Sequence, residues 1–186
     1  SSFKPNFGAR YLINVERSDG ENANVEVLVP PLTELVLPGQ LLAMPTLFPI
    51  EIVGDAPRLN NIAVTYRVKY RGLSSIEEEV YRVLYNDRQI KTAQGWLINV
   101  MVLNDMRAFR AILEDRRDIV RNAEIKPIEL LIQLIVANEA WNPPGGVFDP
   151  DVLVEPGLLS NVEGGFGFVG AGYRLRGKWQ PLDSIL

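Results

Sequence analysis

The stretch NIAVTYRVKYRG, residues 61–72, alternates apolar and mostly polar side chains with a strict period of two. Its apolar members are Ile62, Val64, Tyr66, Val68 and Tyr70. Because successive side chains of a strand point to opposite faces, this pattern predicts a half-buried β-strand. Shorter segments rich in β-branched residues precede and follow it, among them ARYLINVER and GWLINVMVLN. We therefore expect strands over about residues 9–103.

The segment 74–85 admits two interpretations. Ser74 or Ser75, followed by the glutamates of residues 77–79, could cap a short helix. The composition of VYRVLYN is instead typical of a strand. We favour a strand over residues 80–85.

Beyond residue 103 the apolar spacing changes from two to three and four. Residues 104–115 begin with Asn104, a residue type favoured at helix N-caps. One face of this segment collects Met106, Phe109, Ile112 and Leu113. This spacing predicts an amphipathic helix.

A second helix is predicted over residues 127–140, with Pro127 in the first turn. Ile128, Leu131 and Ile135 share its apolar face. Glycine-punctuated strands are expected over about residues 158–179. The sequence thus predicts the α+β class, with residues 1–186 forming a single domain. Its mostly antiparallel, sandwich-like sheet would carry two amphipathic helices in the C-terminal half.

The 186-residue chain contains no histidine and no cysteine. It therefore lacks the usual general base near neutral pH and the preferred ligands of structural zinc, and we predict neither a catalytic nor a metal-binding site. The net charge is −4, with 19 basic and 23 acidic residues. Arg174, Arg176 and Lys178 form the densest basic cluster and alternate as on one strand face, but no stripe follows a phosphate backbone, and we expect no nucleic-acid binding.

The segment NVEGGFGFVGAG contains a G-x-G-x-x-G spacing at Gly165, Gly167 and Gly170. A dinucleotide site requires a helix that opens on the last glycine, because the pyrophosphate binds at that helix N-terminus. The residues after Gly170 alternate like a strand instead. We therefore predict a structural role for the glycines and no cofactor.

Carboxylates and aromatic residues supply two weaker candidates for a binding site. Asp149, Asp151 and Glu155 lie close together in a proline-rich loop, without the order of a known calcium loop. Trp141 and Phe148 flank the segment NPPGG and could form a contact surface for a protein or a glycan. Core packing is the alternative interpretation of these rings.

Three segments together resemble a Bacteroidota family of uncharacterised surface lipoproteins. They are YLINVERSDGENANVEVLVP, RRDIVRNAEIKPIELLIQLIVANEAWN and SNVEGGFGFVGAG. The last is similar to the closing pattern S-N-(I/V)-x-x-G-x-G-x-F of that family. In this chain the matching residues are Ser160, Asn161, Val162, Gly165, Gly167 and Phe168.

The resemblance implies a non-catalytic accessory or assembly role at the cell envelope, on the periplasmic or surface side of the outer membrane. The expected partner is an envelope protein or an outer-membrane receptor complex. Membrane attachment would occur only through a lipid on a cysteine ahead of Ser1. Two alternatives remain open: a carbohydrate-binding module, and a structural subunit of a large assembly.

Overall fold

The computed structural model describes residues 4–16, 18–141, 160–165 and 167–184. The strands are β1 (Arg10–Glu16), β2 (Asn22–Leu28), β3 (Glu34–Val36), β4 (Phe48–Val53), β5 (Arg58–Arg71), β6 (Ile76–Leu84), β7 (Gln89–Thr92), β8 (Gly95–Val100), β9 (Ile125–Ala137) and β10 (Gly172–Trp179). Helix α1 (Val102–Arg116) lies between β8 and β9, and a short 3-10 helix covers Leu182–Ser184. The strands form three sheets, ordered β1-β2, β10-β9-β5-β6 and β3-β4-β8-β7.

The expectation of mostly antiparallel sheets is confirmed, because β1 pairs antiparallel with β2, β5 with β6, and β8 with both β4 and β7. The strand predicted from the strict alternation is also confirmed as part of β5. All five of its predicted apolar residues are buried. The strand interpretation of residues 80–85 is correct up to Leu84, since β6 covers Ile76–Leu84, and the alternative helix after Ser74 is not formed.

Contacts divide the chain into two compact units. The first takes its described residues from 1–33, 54–60 and 135–174, and the second from 34–53, 61–134 and 175–186. The assignment of residues 1–186 to a single domain stays a prediction.

The first unit contains the β1–β2 hairpin, whose ends pair Arg10 with Leu28 and Glu16 with Asn22. Tyr173 ties a loop of this unit to β10. Its hydroxyl donates to the Pro31 carbonyl at 2.7 Å and accepts from the Thr33 amide at 2.8 Å.

In the second unit, β5 places Tyr66 and Tyr70 on one face of the sheet, which we call the inner face. Phe109 of α1 contacts this face, with its ring centroid 6.0 Å from that of Tyr70. Phe48 of β4 meets Trp179 of β10 edge to face at 5.0 Å. The sheet that contains β4 therefore packs on β10 within this unit, in agreement with a sandwich-like core.

The predicted helix over 104–115 is confirmed as α1, which begins two residues earlier. Asn104 is not its N-cap: that position belongs to Met101, which makes no side-chain capping hydrogen bond. Ile112 was expected on the apolar face but is exposed, whereas Phe109 and Leu113 are buried. The amides of Asn104 and Asp105 both donate to the Met101 carbonyl, so the helical hydrogen bonding begins at Met101.

The predicted helix over 127–140 is wrong, because residues Ile125–Ala137 form β9. Within the described residues α1 is the sole α-helix. Leu130, Ile132 and Leu134 are buried at a spacing of two, and β9 lies between β10 and β5. A strand inside a sheet reads as a nearly continuous apolar run, which also satisfies helical spacing. The chain is thus more β-rich than the α+β class predicted.

Candidate functional site

The described residues of the third resembling segment, SNVEGGFGFVGAG, form a tightly hydrogen-bonded loop in the first unit. The Asn161 side chain donates to the Val169 carbonyl at 2.7 Å and accepts from the Val169 amide at 2.9 Å. The Ser160 hydroxyl accepts from the Val162 amide at 3.3 Å. The loop also forms a bridge to β2, through Glu163 and Asn24. These groups stabilise the loop.

Two glycines of this loop, Gly164 and Gly170, lie where a side chain would collide with neighbouring atoms, and Gly167 has a backbone conformation that favours glycine. Gly164 has φ +72°, and a Cβ there would lie 2.3 Å from the Asn22 carbonyl oxygen. A Cβ on Gly170 would lie 2.6 Å from the ring of Phe168 and 2.9 Å from that of Trp141. Gly167 has φ +123°. Strand β10 begins two residues after Gly170, at the point where a dinucleotide fold would begin a helix.

The predicted contact surface is described only at Trp141. This half-buried residue meets Phe168 edge to face, with ring centroids 6.3 Å apart. Phe148 lies outside the described residues, as do Asp149, Asp151 and Glu155. The structure therefore places Trp141 beside the glycine loop.

A buried polar network links α1 to the inner face of the sheet. Asp105 of α1 accepts hydrogen bonds from the hydroxyls of Tyr66, at 2.5 Å, and Tyr85. The Tyr85 hydroxyl in turn accepts from the Met101 amide at 3.2 Å. Burial, followed by the hydrogen bond to Asp105, raises the pKa of both tyrosines well above the ordinary value. Both tyrosine side chains are fully buried, so we assign this network to stability.

The opposite face of the β10-β9-β5-β6 sheet is exposed and basic; we call it the outer face. Side chains of directly paired residues lie on the same side of a sheet, and β6 pairs Ile76 with Arg71, Val80 with Arg67, and Leu84 with Ala63. Alternation and the contacts below extend this face to β9 and β10. Its members are Arg67, Lys69 and Arg71 of β5; Ile76, Glu78, Val80, Arg82 and Leu84 of β6; Glu129 and Leu131 of β9; and Arg176 and Lys178 of β10.

Glu129 organises the centre of the outer face. Its carboxylate lies 2.6 Å from the Lys178 ammonium and 3.2 Å from the Arg67 guanidinium. The Gln180 side-chain amide donates to it at 2.5 Å. Burial acts to raise the pKa of Glu129, but hydrogen bonds from Lys178 and Arg67 outweigh that effect and hold the pKa below its ordinary value. Glu129 is therefore a buried carboxylate fixed between two cations.

A row of exposed aliphatic side chains borders these cations on β6. Ile76, Val80 and Leu84 are 64%, 65% and 57% exposed. With a rise of about 3.3 Å per residue, the row extends over roughly 26 Å. Leu131 of β9 adds a further exposed apolar group. The outer face thus combines apolar contact area with positive charge.

A groove lies on the other sheet of the second unit. It has a volume of about 340 Å³ and is lined by residues that include Glu51, Thr92, Gln94 and Trp96. The Lys91 ammonium lies 4.5 Å from the centroid of the Trp96 ring, at a distance typical of a cation–π contact.

Sequence reasoning missed the outer face. The alternation of Arg176 and Lys178 was visible, and so were the polar partners in the β5 pattern. These residues lie on one surface only because β9 is a strand between β5 and β10. A helix was predicted for that segment from the sequence, so these residues could not be placed together.

Comparison of the chain with protein-family profiles, curated proteins and solved structures finds no match in any of the three. The resemblance to the surface lipoproteins stays a prediction. In the part of the chain that the structure describes, no helix is long and apolar enough to cross a membrane. The same residues contain no group of three or more potential metal-ligating side chains placed to hold an ion.

Proposed function

We propose that the protein is a non-catalytic accessory or assembly protein of the cell envelope that binds a partner protein through its outer face. The observation that carries this proposal is the row Ile76, Val80 and Leu84, exposed on a strand at the end of a sheet. These three side chains recur at every fourth residue of one strand face, with Glu78 and Arg82 between them, and Leu131 of β9 adds to the exposed apolar area. Exposed apolar area grouped on one face is typical of an interaction site. Surrounding charge adds orientation and specificity to such a site.

Two further parts of the proposal have other support. The envelope location and an outer-membrane receptor complex as partner rest on the resemblance of the three sequence segments. The absence of catalysis is supported by composition, since the sequence has neither histidine nor cysteine to act as base or nucleophile. The two buried carboxylates among the described residues, Asp105 and Glu129, are both engaged in hydrogen bonds within the protein.

Photo-crosslinking tests the proposal. A photoreactive amino acid is placed at Val80 in the cells that make the protein, and crosslinked proteins are identified. Ile90 on β7 is the matched control, because it is an exposed aliphatic residue on an end strand of the other sheet. We expect one partner to crosslink at Val80 and not at Ile90. That partner, once purified, should bind the wild-type protein and Ile90→Asp but lose affinity for Val80→Asp.

Equal crosslinking at the two positions would contradict the proposal. So would full affinity of the folded Val80→Asp variant, as judged by unchanged thermal unfolding.

The groove beside Trp96 favours a second function, carbohydrate binding. An aromatic ring near carboxylate, amide and hydroxyl groups is the usual combination in a site for polyhydroxylated ligands. Oligosaccharides should quench the tryptophan fluorescence of the wild-type protein and leave that of Trp96→Phe unchanged. Quenching that persists in Trp96→Phe would remove this groove as the site.

A further inference from the structure

The sign of the charge on the outer face identifies the chemistry of its partner. Six basic side chains lie on this face against two carboxylates, those of Glu78 and Glu129. The whole chain has a net charge of −4. Positive charge is thus concentrated on one surface of an acidic protein, and that surface attracts groups of the opposite sign.

The two carboxylates of the face do not neutralise it. Glu78 lies 3.8 Å from the Lys69 ammonium, with both side chains about half exposed. Glu129 is buried and lies between Arg67 and Lys178, which are 46% and 55% exposed. One carboxylate therefore fixes two cations whose outer parts still face solvent. A cation held in place loses less conformational entropy when a second carboxylate approaches.

From this arrangement we propose that the partner segment on the outer face is acidic and apolar, and that its carboxylates bind beside Arg67 and Lys178. The exposed aliphatic row of β6 accepts the apolar side chains of the same segment. This inference rests on the proposed function, since it specifies the partner chemistry of that surface.

A partner protein suits this face better than a nucleic acid or a lipid surface. The outer face as defined contains no aromatic ring, whereas single-stranded nucleic acid is bound by stacking on such rings. Its cations are also interrupted by Val80, Leu131 and the carboxylate of Glu129, so no continuous basic stripe follows a phosphate backbone. Alternating acidic and apolar side chains match both components of the face.

The test measures binding of a labelled synthetic peptide of alternating glutamate and valine to the full chain at low salt. Peptides with lysine in place of glutamate, duplex DNA and vesicles of anionic phospholipid serve as competing probes. We expect only the acidic peptide to bind, and we expect its affinity to fall as the salt concentration rises.

Charge reversal locates the site. Arg82→Glu and Arg176→Glu should each lower the affinity for the acidic peptide by about tenfold. Arg107→Glu is the matched control, because it reverses an exposed cation of α1, which packs on the inner face. We expect it to change the affinity less than about twofold.

Lys178→Met provides an independent variant, because Glu129 keeps Arg67 and Gln180 as partners. It should weaken binding while the protein keeps a cooperative thermal unfolding transition.

The proposal is overturned if the acidic peptide does not bind, if Arg107→Glu weakens binding as much as Arg82→Glu, or if DNA or anionic vesicles bind in preference. If crosslinking at Val80 identifies a partner whose affinity is unchanged in Arg82→Glu, Arg176→Glu and Lys178→Met, the acidic chemistry is wrong and the docking surface stands. If neither the peptide nor any crosslinked partner binds, both proposals fail.

Discussion

The Tyr66 hydroxyl of β5 donates a hydrogen bond of 2.5 Å to the Asp105 carboxylate of α1. The contact joins two residues that are 39 positions apart in the sequence, and it lies in the buried core. Tyr85, which follows β6, donates to the same carboxylate oxygen. One acidic side chain thereby fixes the helix against β5 and against the residue that follows β6.

Removal of that carboxylate should destabilise the fold. Asp105→Ala leaves the hydroxyls of Tyr66 and Tyr85 buried without their acceptor, at about 1–3 kcal/mol for each. We expect urea denaturation to show a loss of about 2–5 kcal/mol in the free energy of unfolding. Asp115→Ala, at an exposed position of the same helix, is the control.

The triple variant Asp105→Ala, Tyr66→Phe, Tyr85→Phe should recover part of the loss, because it removes both sides of the network. A stability of Asp105→Ala within about 0.5 kcal/mol of the wild type would contradict this account of the core.

Acid should destabilise the protein partly through Glu129, and Glu129→Gln should reduce that effect. Its pKa in the folded protein is below the ordinary value, so its contribution is present above the ordinary glutamate pKa of about 4.3. The contribution is lost as the pH falls through the lower folded-state pKa. Unfolding at several pH values should therefore give a shallower acid dependence for Glu129→Gln than for the wild type.

The exposed Glu124→Gln substitution is the control for that titration. Glu79 contributes with the same sign, because its hydrogen bond with Arg116 lowers the pKa of its carboxyl. The variant should thus retain part of the acid dependence. Identical slopes for Glu129→Gln and the wild type would show that the Lys178 and Arg67 contacts do not stabilise the fold.

The glycine loop should be sensitive at one position. Gly164→Ala places a Cβ against the Asn22 carbonyl and forces a side chain into the left-handed region, at about 1–2 kcal/mol for the backbone alone. We expect calorimetry to show a clear fall in Tm. Gly39→Ala, where the space for a Cβ is open and φ is not in the left-handed region, should leave Tm almost unchanged. Equal values for the two variants would exclude a close-packing role for Gly164.

The local pattern predicted those elements whose two faces differ in environment. The buried side chains of β5 alternate with polar ones, so the period identified the strand. The face of α1 that carries Phe109 and Leu113 identified the helix. In each case the sequence records the difference between core and solvent at the spacing of the element.

The same reasoning failed for β9, since a helix and a strand over IELLIQLIVA would both bury apolar groups. Pro127 agreed with a helix start, yet it lies within the strand. Because β9 was predicted as a helix, the outer face that β9 completes was not predicted either. No local pattern reports that Arg67 and Lys178 meet at Glu129, because that contact depends on which strands are neighbours.

The strand order of the β10-β9-β5-β6 sheet determines when the basic surface forms during folding. Arg67 and Glu129 are separated by 62 residues, and Gln180 lies a further 51 residues beyond Glu129. Local hairpins such as β5–β6 close quickly, whereas pairings between distant segments form slowly. Ribosomal synthesis delivers Lys178 after every other member of the outer face. The cluster of Arg67 and Lys178 around Glu129 is therefore a late product of folding. An incompletely folded chain would present the aliphatic row of β6 with the cations of the β5–β6 hairpin, before Glu129 and the cations of β10 join them.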